Sequence, residues 1–220
     1  MKENQINTKN EQNIKYIIIS VLALVLLALG AAMQVKSAVG LSPWDALTAT
    51  ISELTGLKFG TASMVSNFLM IALQLLILRR RFKLSYWTQV PIVLGFGYVV
   101  NFFLYKILQF NLDQYWFRII FFVVGNNLAA LANSFLVTID TIIMPPEGFS
   151  SAVAKVSDFE FSKVRFSLDL VSVAFCLMST LLMSTTLQIR EGTIIGIFIY
   201  NISLRLYMKL IGPRLKKVKE

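Results

Sequence analysis

Acidic and amide side chains inside long apolar stretches are the residues of this sequence whose types could do chemistry. Asp169 and Asn67 each lie in such a stretch. A carboxylate or an amide is costly to bury in apolar surroundings, so its presence there indicates a role in binding a polar solute. Two structural alternatives remain open. Arg165, four residues before Asp169, can pair with it along one helix, and Asn67 can tie two helices together.

Asp45 is a third candidate, and it stands at the start of a short helical pattern. Ser42 can cap that helix, Pro43 suits its first turn, and Gly56 can end it. Trp44 completes the motif Ser-Pro-Trp-Asp. The spacing predicts a short helix that follows the first long apolar run.

Glu147 occupies the same place in a second short pattern, which begins Pro145-Pro146-Glu147 and has a weaker cap. A helix N-terminus attracts anions, but a carboxylate at that position already neutralises it. A cationic or zwitterionic solute therefore fits Asp45 and Glu147 better than a simple anion does. Helix capping alone explains both carboxylates equally well.

Several amides lie in the middle of apolar runs, where they could line a polar interior. They are Asn126, Asn127, Asn101 and Asn201, with Asn133 on the same run as the first two. Amide side chains also tie helices together by hydrogen bonds, so a binding role and a packing role both stay open.

Other kinds of chemistry have no support in the sequence. There is no histidine, and the single cysteine, Cys176, lies in an apolar run. The sequence contains no nucleophile–base pair, metal-ligand cluster, phosphate-binding loop or cofactor fingerprint. We expect that the protein is not an enzyme and that it uses neither a metal nor a cofactor.

The elements that hold these residues are those of a membrane protein. Hydrophobic residues make up 56% of the 220 residues. Charged residues make up only 15%, against about 25% in a typical soluble domain. The charges cluster between long uncharged stretches, as expected when hydrocarbon surrounds most of the surface. We predict an all-α membrane protein.

Six apolar runs reach the roughly 20 residues that a helix needs to cross a bilayer. They cover residues 16–33, 59–78, 85–105, 119–139, 166–189 and 192–211. A polar N-terminal tail without ordered structure (residues 1–13) and a basic C-terminal tail (residues 212–220) complete the predicted organisation.

Basic residues predict the orientation of these spans. Eleven lysines and arginines lie in the N-terminal tail, the loop after the second span and the C-terminal tail, against five in the alternate loops. The N- and C-termini are therefore expected in the cytoplasm. The basic runs are short and form no continuous face, so no nucleic-acid partner is expected.

The chain also contains an internal repeat. An offset of 102 residues aligns the six residues from Pro43 with the six from Pro145, so that Asp45 falls on Glu147. The same offset places Asn67 on Asp169. We predict two repeats of three spans, residues 14–108 and 115–211. Because three is an odd number, the second repeat is inserted in the opposite orientation.

Each repeat then contains one short helix after its first span, and two placements of this helix stay open. If both short helices are re-entrant, their N-termini face one midplane site from opposite leaflets. If they lie flat in the membrane interfaces, Trp44 and Phe149 act as their anchors.

The segment Gly40-Leu41-Ser42-Pro43-Trp44-Asp45, followed by Thr-Gly-Leu-Lys-Phe-Gly at residues 55–60, carries a family resemblance. It resembles the YczE/YyaS/YitT group of bacterial membrane proteins, and the YczE branch most closely. The resemblance covers residues 30–207 and implies a multi-pass protein of the bacterial inner (cell) membrane. The activity of that group is largely unassigned, so the resemblance supplies no site residue.

The function that these features favour is that of a small-solute permease or channel with a midplane site between inverted repeats. Two alternatives stay open: a substrate-binding membrane subunit of a larger transporter, and a non-transporting membrane scaffold or regulator. The expected partners are the lipid bilayer, a small solute of unknown identity, and a second copy of the chain or an energising subunit.

Overall fold

A computed structural model describes the backbone of residues 2–82, 84–139 and 143–219. Side chains are described within residues 14–211, apart from those at 83, 85 and 140–142. Several basic residues behind the predicted orientation therefore lie outside the described side chains, namely Lys2, Lys9, Lys83 and those of residues 212–220.

The described residues form eight α-helices and no strand. The helices are α1 (Lys2–Ser37), α2 (Pro43–Thr55), α3 (Phe59–Leu78), α4 (Gln89–Phe102), α5 (Tyr115–Ile139), α6 (Pro145–Val156), α7 (Phe161–Met183) and α8 (Glu191–Lys219). Two 3-10 turns, Arg79–Arg81 and Leu84–Thr88, lie between α3 and α4, and a π-helical turn, Phe103–Ile107, extends α4.

Six of the helices are long and apolar enough to cross a membrane. The candidate spans are Ile14–Ser37, Phe59–Arg81, Tyr86–Ile107, Tyr115–Ile139, Phe161–Met183 and Glu191–Ile211. Large apolar side chains such as Leu76, Leu181 and Phe198 are exposed on them, as expected for surfaces that face lipid. The predicted all-α membrane class is confirmed, and the chain is a multi-pass membrane protein.

The two short helices lie between long ones. α2 packs against α3 and α7, and α6 packs against the same two helices. Ser42 caps α2, because its hydroxyl accepts a hydrogen bond from the backbone N–H of Asp45 (3.2 Å). Gly56 ends α2 with a left-handed φ of 70°, which glycine adopts without strain. The short helix predicted from this spacing is confirmed. α6 begins at Pro145 without a side-chain cap, whereas its sequence predicts a weak one.

The predicted position of the fifth span is wrong. The apolar run covers residues 166–189, but α7 covers Phe161–Met183, and Ser184 follows with a left-handed φ of 54°. The apolar residues beyond Ser184 include Ile189, which packs against a buried cluster of Leu41, Ala46 and Cys176. Composition does not distinguish an apolar loop residue that packs against a buried cluster from an apolar residue that belongs to a span.

The predicted lack of order in the N-terminal tail falls on residues 1–13, whose side chains lie outside the described part of the chain, and it stays a prediction. α1 begins at Lys2, so the tail is continuous with the first span. No glycine or proline precedes Gly30, and nothing in the polar sequence therefore stops the helix. At the other end of the chain, α8 likewise continues through the basic tail to Lys219.

Close approach between backbones holds the long helices together. α1 packs along α5, and α5 packs along α8. A Cβ atom on Gly30 of α1 would lie 2.6 Å from the carbonyl oxygen of Gly125 on α5. α3 and α4 meet in the same way at Gly60 and Gly97. Small residues permit such contacts between membrane helices.

The offset of 102 residues recurs in the positions where helices begin. α2, α3 and α4 begin at Pro43, Phe59 and Gln89, and α6, α7 and α8 begin at Pro145, Phe161 and Glu191. Every helix start in the first set therefore has a counterpart 102 residues later.

The packing of the two halves differs at their last long helices, α4 and α8. α3 packs closely on α4, whereas α7 is not closely packed on α8. The positions 102 residues after Gly60 and Gly97 are Ser162 and Ile199. These larger side chains do not permit the backbone contact that joins α3 to α4.

Candidate functional site

A cavity of about 880 Å³ lies between the two halves of the chain, residues 14–108 and 115–211. This volume is within the range of roughly 300–1,000 Å³ that is usual for small-molecule sites. Most of its wall is apolar, and the aromatic residues Trp44, Phe96, Phe122, Phe166 and Tyr200 belong to it. The cavity is the candidate functional site.

Three carboxylates and one guanidinium face the cavity: Asp45, Glu147, Asp169 and Arg165. The Nε atom of Arg165 lies 3.6 Å from Oε1 of Glu147. The same guanidinium bonds to Asp169, one turn along α7. The ion pair between Arg165 and Asp169 that the sequence suggested is therefore present. Both residues also line the cavity.

Asp45 lies in the first turn of α2 and accepts a hydrogen bond from the hydroxyl of Ser42 (2.7 Å). Burial raises the pKa of Asp45, while the Ser42 hydroxyl and the positive charge of Arg165 oppose that rise. Burial also raises the pKa of Glu147, and Arg165 again opposes the rise. In both cases the cost of burying a carboxylate is larger than what its neighbours compensate.

Three polar atoms on the wall have no hydrogen-bond partner among the described residues. They are Nε1 of Trp44, Oδ1 of Asn67 and Oε2 of Glu147. Asn67 is only 2% exposed, and its amide nitrogen donates to the backbone carbonyl oxygen of Ser63 (2.8 Å). Buried polar atoms are usually paired, so a ligand that reached these three would supply the partners that they lack.

Two other amides from the predicted set also line the cavity. Asn126, 3% exposed, donates through its amide nitrogen to the carbonyl oxygen of Gly196 on α8 (2.8 Å). Asn201 donates to the carbonyl oxygen of Ile197, one turn earlier on its own helix. Asn201 is exposed, and it stands where the cavity meets the outer surface of α8.

Asn101 and Asn127 are not among the lining residues. Asn101 accepts a hydrogen bond from the backbone N–H of Gly60 (2.8 Å) and donates to the Thr61 hydroxyl, so it joins α4 to α3. Asn127 accepts a hydrogen bond from the Ser203 hydroxyl (2.7 Å) and so joins α5 to α8. For these two amides the structure provides the packing role.

The proline motif is divided in the same way. Pro43 and Trp44 line the cavity. Pro145 is fully buried away from it, and its carbonyl oxygen accepts a hydrogen bond from the side chain of Gln74 on α3 (3.1 Å). Pro146, the next residue, lines the cavity instead of Pro145.

Tyr200 is one of the lining residues that sequence reasoning missed, as are the polar residues Gln34, Ser63 and Thr193. Its hydroxyl accepts a hydrogen bond from the amide of Asn133, which also lines the cavity. Asn133 is visible in the sequence as a polar residue in an apolar run. Tyr200 gives no such signal, because the chain contains seven tyrosines and 17 phenylalanines.

Many lining residues occur as pairs that are 102 positions apart. Asp45 and Glu147 form one such pair, and Asn67 and Asp169 form another. Ser63, beside Asn67, corresponds in the same way to Arg165, beside Asp169. Equivalent positions of the two halves therefore meet at one cavity.

Comparison with known proteins decides the family. A family model matches residues 14–209, which include every residue that lines the cavity. The chain belongs to DUF6198, a family of unknown function. No curated protein and no solved structure matches the chain. The DUF6198 match does not test the resemblance to the YczE/YyaS/YitT group, which stays a prediction.

Proposed function

We propose that this protein is a small-solute permease or channel of the bacterial cell membrane, with its solute site in the cavity between two inverted repeats. The observation that carries the proposal is that lining residues pair across an offset of 102 positions. Two repeats related by a pseudo-two-fold axis through the cavity would bring equivalent residues together in this way.

The packing of the short helices supports the same symmetry. α2 of the first half packs against α7 of the second half, and α6 of the second half packs against α3 of the first. An axis that exchanges the halves exchanges these two contacts. In transporters built from inverted repeats, the solute site lies at the interface between the repeats.

The solute contacts proposed here come from both halves. The carboxylates of Asp45, Glu147 and Asp169 and the amides of Asn67 and Asn126 supply them. Re-entrant placement of α2 and α6 would bring Asp45 and Glu147 to one level of the membrane from opposite sides. The proposal needs no bond-breaking step and no cofactor.

Uptake into proteoliposomes tests the proposal. The purified protein is reconstituted and exposed to a panel of labelled small cations, zwitterions, anions and neutral solutes. We expect saturable uptake of at least one solute, with a large loss for Asp169→Asn and for Asp45→Asn. Glu53→Gln is the matched control, because Glu53 lies on α2 but contacts Thr186 and Gln188 instead of the cavity.

The absence of flux for the whole panel, from protein that remains monodisperse, would overturn a self-sufficient permease. Saturable binding without flux would instead favour a substrate-binding subunit of a larger transporter.

A further inference from the structure

We propose that the solute is an organic cation with an apolar body, and that it reaches the cavity from the bilayer between α7 and α8. The transport of this cation rests on the proposed function, whereas its binding does not.

The charges on the wall favour a cation. Among the described lining residues, Arg165 carries the one positive charge and faces three carboxylates. Arg165 is engaged by Glu147 and Asp169, whereas the hydrogen-bond partner of the Asp45 carboxylate is the neutral hydroxyl of Ser42. A partly buried carboxylate without an ion-pair partner is costly, so a cationic ligand would supply the ion-pair partner that Asp45 lacks.

Two of the three unpaired atoms suit the same class of ligand, whereas the third, Nε1 of Trp44, is a donor. Oδ1 of Asn67 and Oε2 of Glu147 are acceptors, and both suit an ammonium group or an N–H donor. Asn67 is more than nine-tenths buried, so bulk water does not donate a hydrogen bond to its side-chain oxygen. The ring of Trp44 lies on the same wall, and an aromatic face attracts a quaternary or protonated amine.

The remaining wall favours an apolar body over a bare metal ion. Phe96, Phe122, Phe166 and Leu170 line the cavity and offer no ligand atoms to a metal. Hard cations need several oxygen ligands arranged around one point. No group of three or more histidine, cysteine, aspartate or glutamate residues is placed to hold a metal ion in the part of the chain that the structure describes.

The route from the bilayer follows from the packing of α7 and α8. Both helices line the cavity and are candidate spans, yet they are not closely packed on each other. Phe166 and Leu170 on α7 are 69% and 59% exposed, and Ile197 on α8 is 47% exposed, although all three line the cavity. The cavity therefore opens between these helices toward the surface that lipid covers. Amphipathic cations concentrate at that surface.

Binding to the full chain in lipid nanodiscs tests the ligand class by isothermal titration calorimetry. The probes are benzyltrimethylammonium, tetramethylammonium, phenylacetate and phenylalanine. We expect saturable binding of benzyltrimethylammonium, binding of tetramethylammonium that is about tenfold weaker or more, and none of phenylacetate. Asp45→Asn and Glu147→Gln should each weaken the binding of benzyltrimethylammonium about tenfold or more, whereas Glu53→Gln leaves it unchanged.

Binding of phenylacetate or phenylalanine as tight as that of benzyltrimethylammonium would overturn the ligand class. Equal affinity in Asp45→Asn, Glu147→Gln and the wild type would overturn the assigned site. Binding as expected but without uptake in proteoliposomes would contradict only the proposed transport.

The route is tested by stopped-flow measurement of the association rate. Leu170→Trp narrows the opening and should slow association about tenfold. Leu181→Trp is the control, because Leu181 is 81% exposed on the same helix and does not line the cavity. Equal association rates for both variants would show that the ligand does not pass between α7 and α8.

Discussion

The guanidinium of Arg165 on α7 lies 3.6 Å from the carboxylate of Glu147 on α6. The same group pairs with Asp169 on its own helix. One basic residue thus joins the start of a long helix to the start of a short one. It does so on the wall of the cavity, where its side chain is 26% exposed. The pair is neither fully buried nor fully solvated, so its loss should be measurable.

Replacement of Arg165 by glutamine should lower the free energy of unfolding by about 1–3 kcal/mol, because Glu147 and Asp169 lose their partner in a half-buried place. The double variant Arg165→Gln/Glu147→Gln should recover part of that loss. Thermal unfolding of the wild type, the two single variants and the double variant is measured by circular dichroism in one detergent. These four measurements form a double-mutant cycle.

Lys163→Gln is the control for this cycle. Lys163 pairs with Glu160 at 3.7 Å, and the two side chains are 70% and 69% exposed. An exposed pair contributes about 0–1 kcal/mol, so the control should unfold close to the wild-type temperature. Equal losses of unfolding free energy for Lys163→Gln and Arg165→Gln would show that the ion pair at the cavity stabilises the fold no more than an exposed pair does.

The contact between α1 and α5 predicts an unusual sensitivity to a single methyl group. In Gly30→Ala the new Cβ atom would lie 2.6 Å from the Gly125 carbonyl oxygen and 2.9 Å from the backbone nitrogen of Ala129. Both contacts are to backbone, which cannot move aside without parting the helices. We expect a loss of about 1–3 kcal/mol in unfolding experiments.

Gly95→Ala on α4 is the matched control. Apart from its chain neighbours and the backbone of its own helix, no described atom lies within 4 Å of the position that its Cβ would take. Alanine also favours the helix over glycine by up to about 1 kcal/mol, so this variant should be neutral or slightly more stable. A comparable loss in Gly95→Ala would rule out the contact at Gly30 as the cause.

Binding of the organic cation should depend on pH in one direction. Burial raises the pKa of Asp45 above its usual 3.8 and that of Glu147 above its usual 4.5. A carboxyl group attracts a cation only when it is ionised, so affinity falls as the pH drops through the raised pKa values. The loss should therefore occur at a higher pH than for an exposed carboxylate.

Titration of benzyltrimethylammonium at a series of pH values measures this effect. The double variant Asp45→Asn/Glu147→Gln should bind weakly, with most of the pH dependence removed. A wild-type affinity that stays constant through the acidic range would contradict a role for either carboxylate.

Cysteine labelling tests the proposed orientation. Cys176 is 1% exposed and accepts a hydrogen bond from the Thr50 hydroxyl, so it should resist maleimides in the folded wild type. Replacing it with serine gives a background for single cysteines. With both termini in the cytoplasm, Asn111→Cys should react with a membrane-impermeant maleimide in intact cells, and Arg80→Cys only after lysis. The reverse pattern would invert the topology.

The parts of the fold that sequence could predict depend on local chemistry. Ser42, Pro43 and Gly56 specify the beginning and end of α2 from within thirteen helical residues and their flanks. The end of α7 is different, because the segment from Ser184 to Gln188 is polar but uncharged and contains an apolar residue, Leu187. Tertiary packing of Ile189 against the cluster near α2 decides that boundary.

The site shows the same division. Arg165 and Asp169 are four residues apart, and helical geometry alone predicts their pair. Asn126 and Asn127 have the same chemistry, but adjacent residues point about 100° apart around a helix. Both amides bond to α8, Asn126 to Gly196 and Asn127 to Ser203, but only Asn126 also lines the cavity. The choice between them depends on the rotation of α5, which no local pattern specifies.

The crossed packing of the short helices has a consequence for biogenesis. The ribosome completes α2 at Thr55, but α7, one of its two partners, ends at Met183. During synthesis the face of α2 that packs against α7 therefore stays uncovered until α7 has been made. The spans can be inserted in the order of the sequence. The packing of α2 against α7, in contrast, is a late step that needs nearly the whole polypeptide. A chain truncated after residue 139 should thus insert into the membrane but fail to complete the tertiary packing of α2.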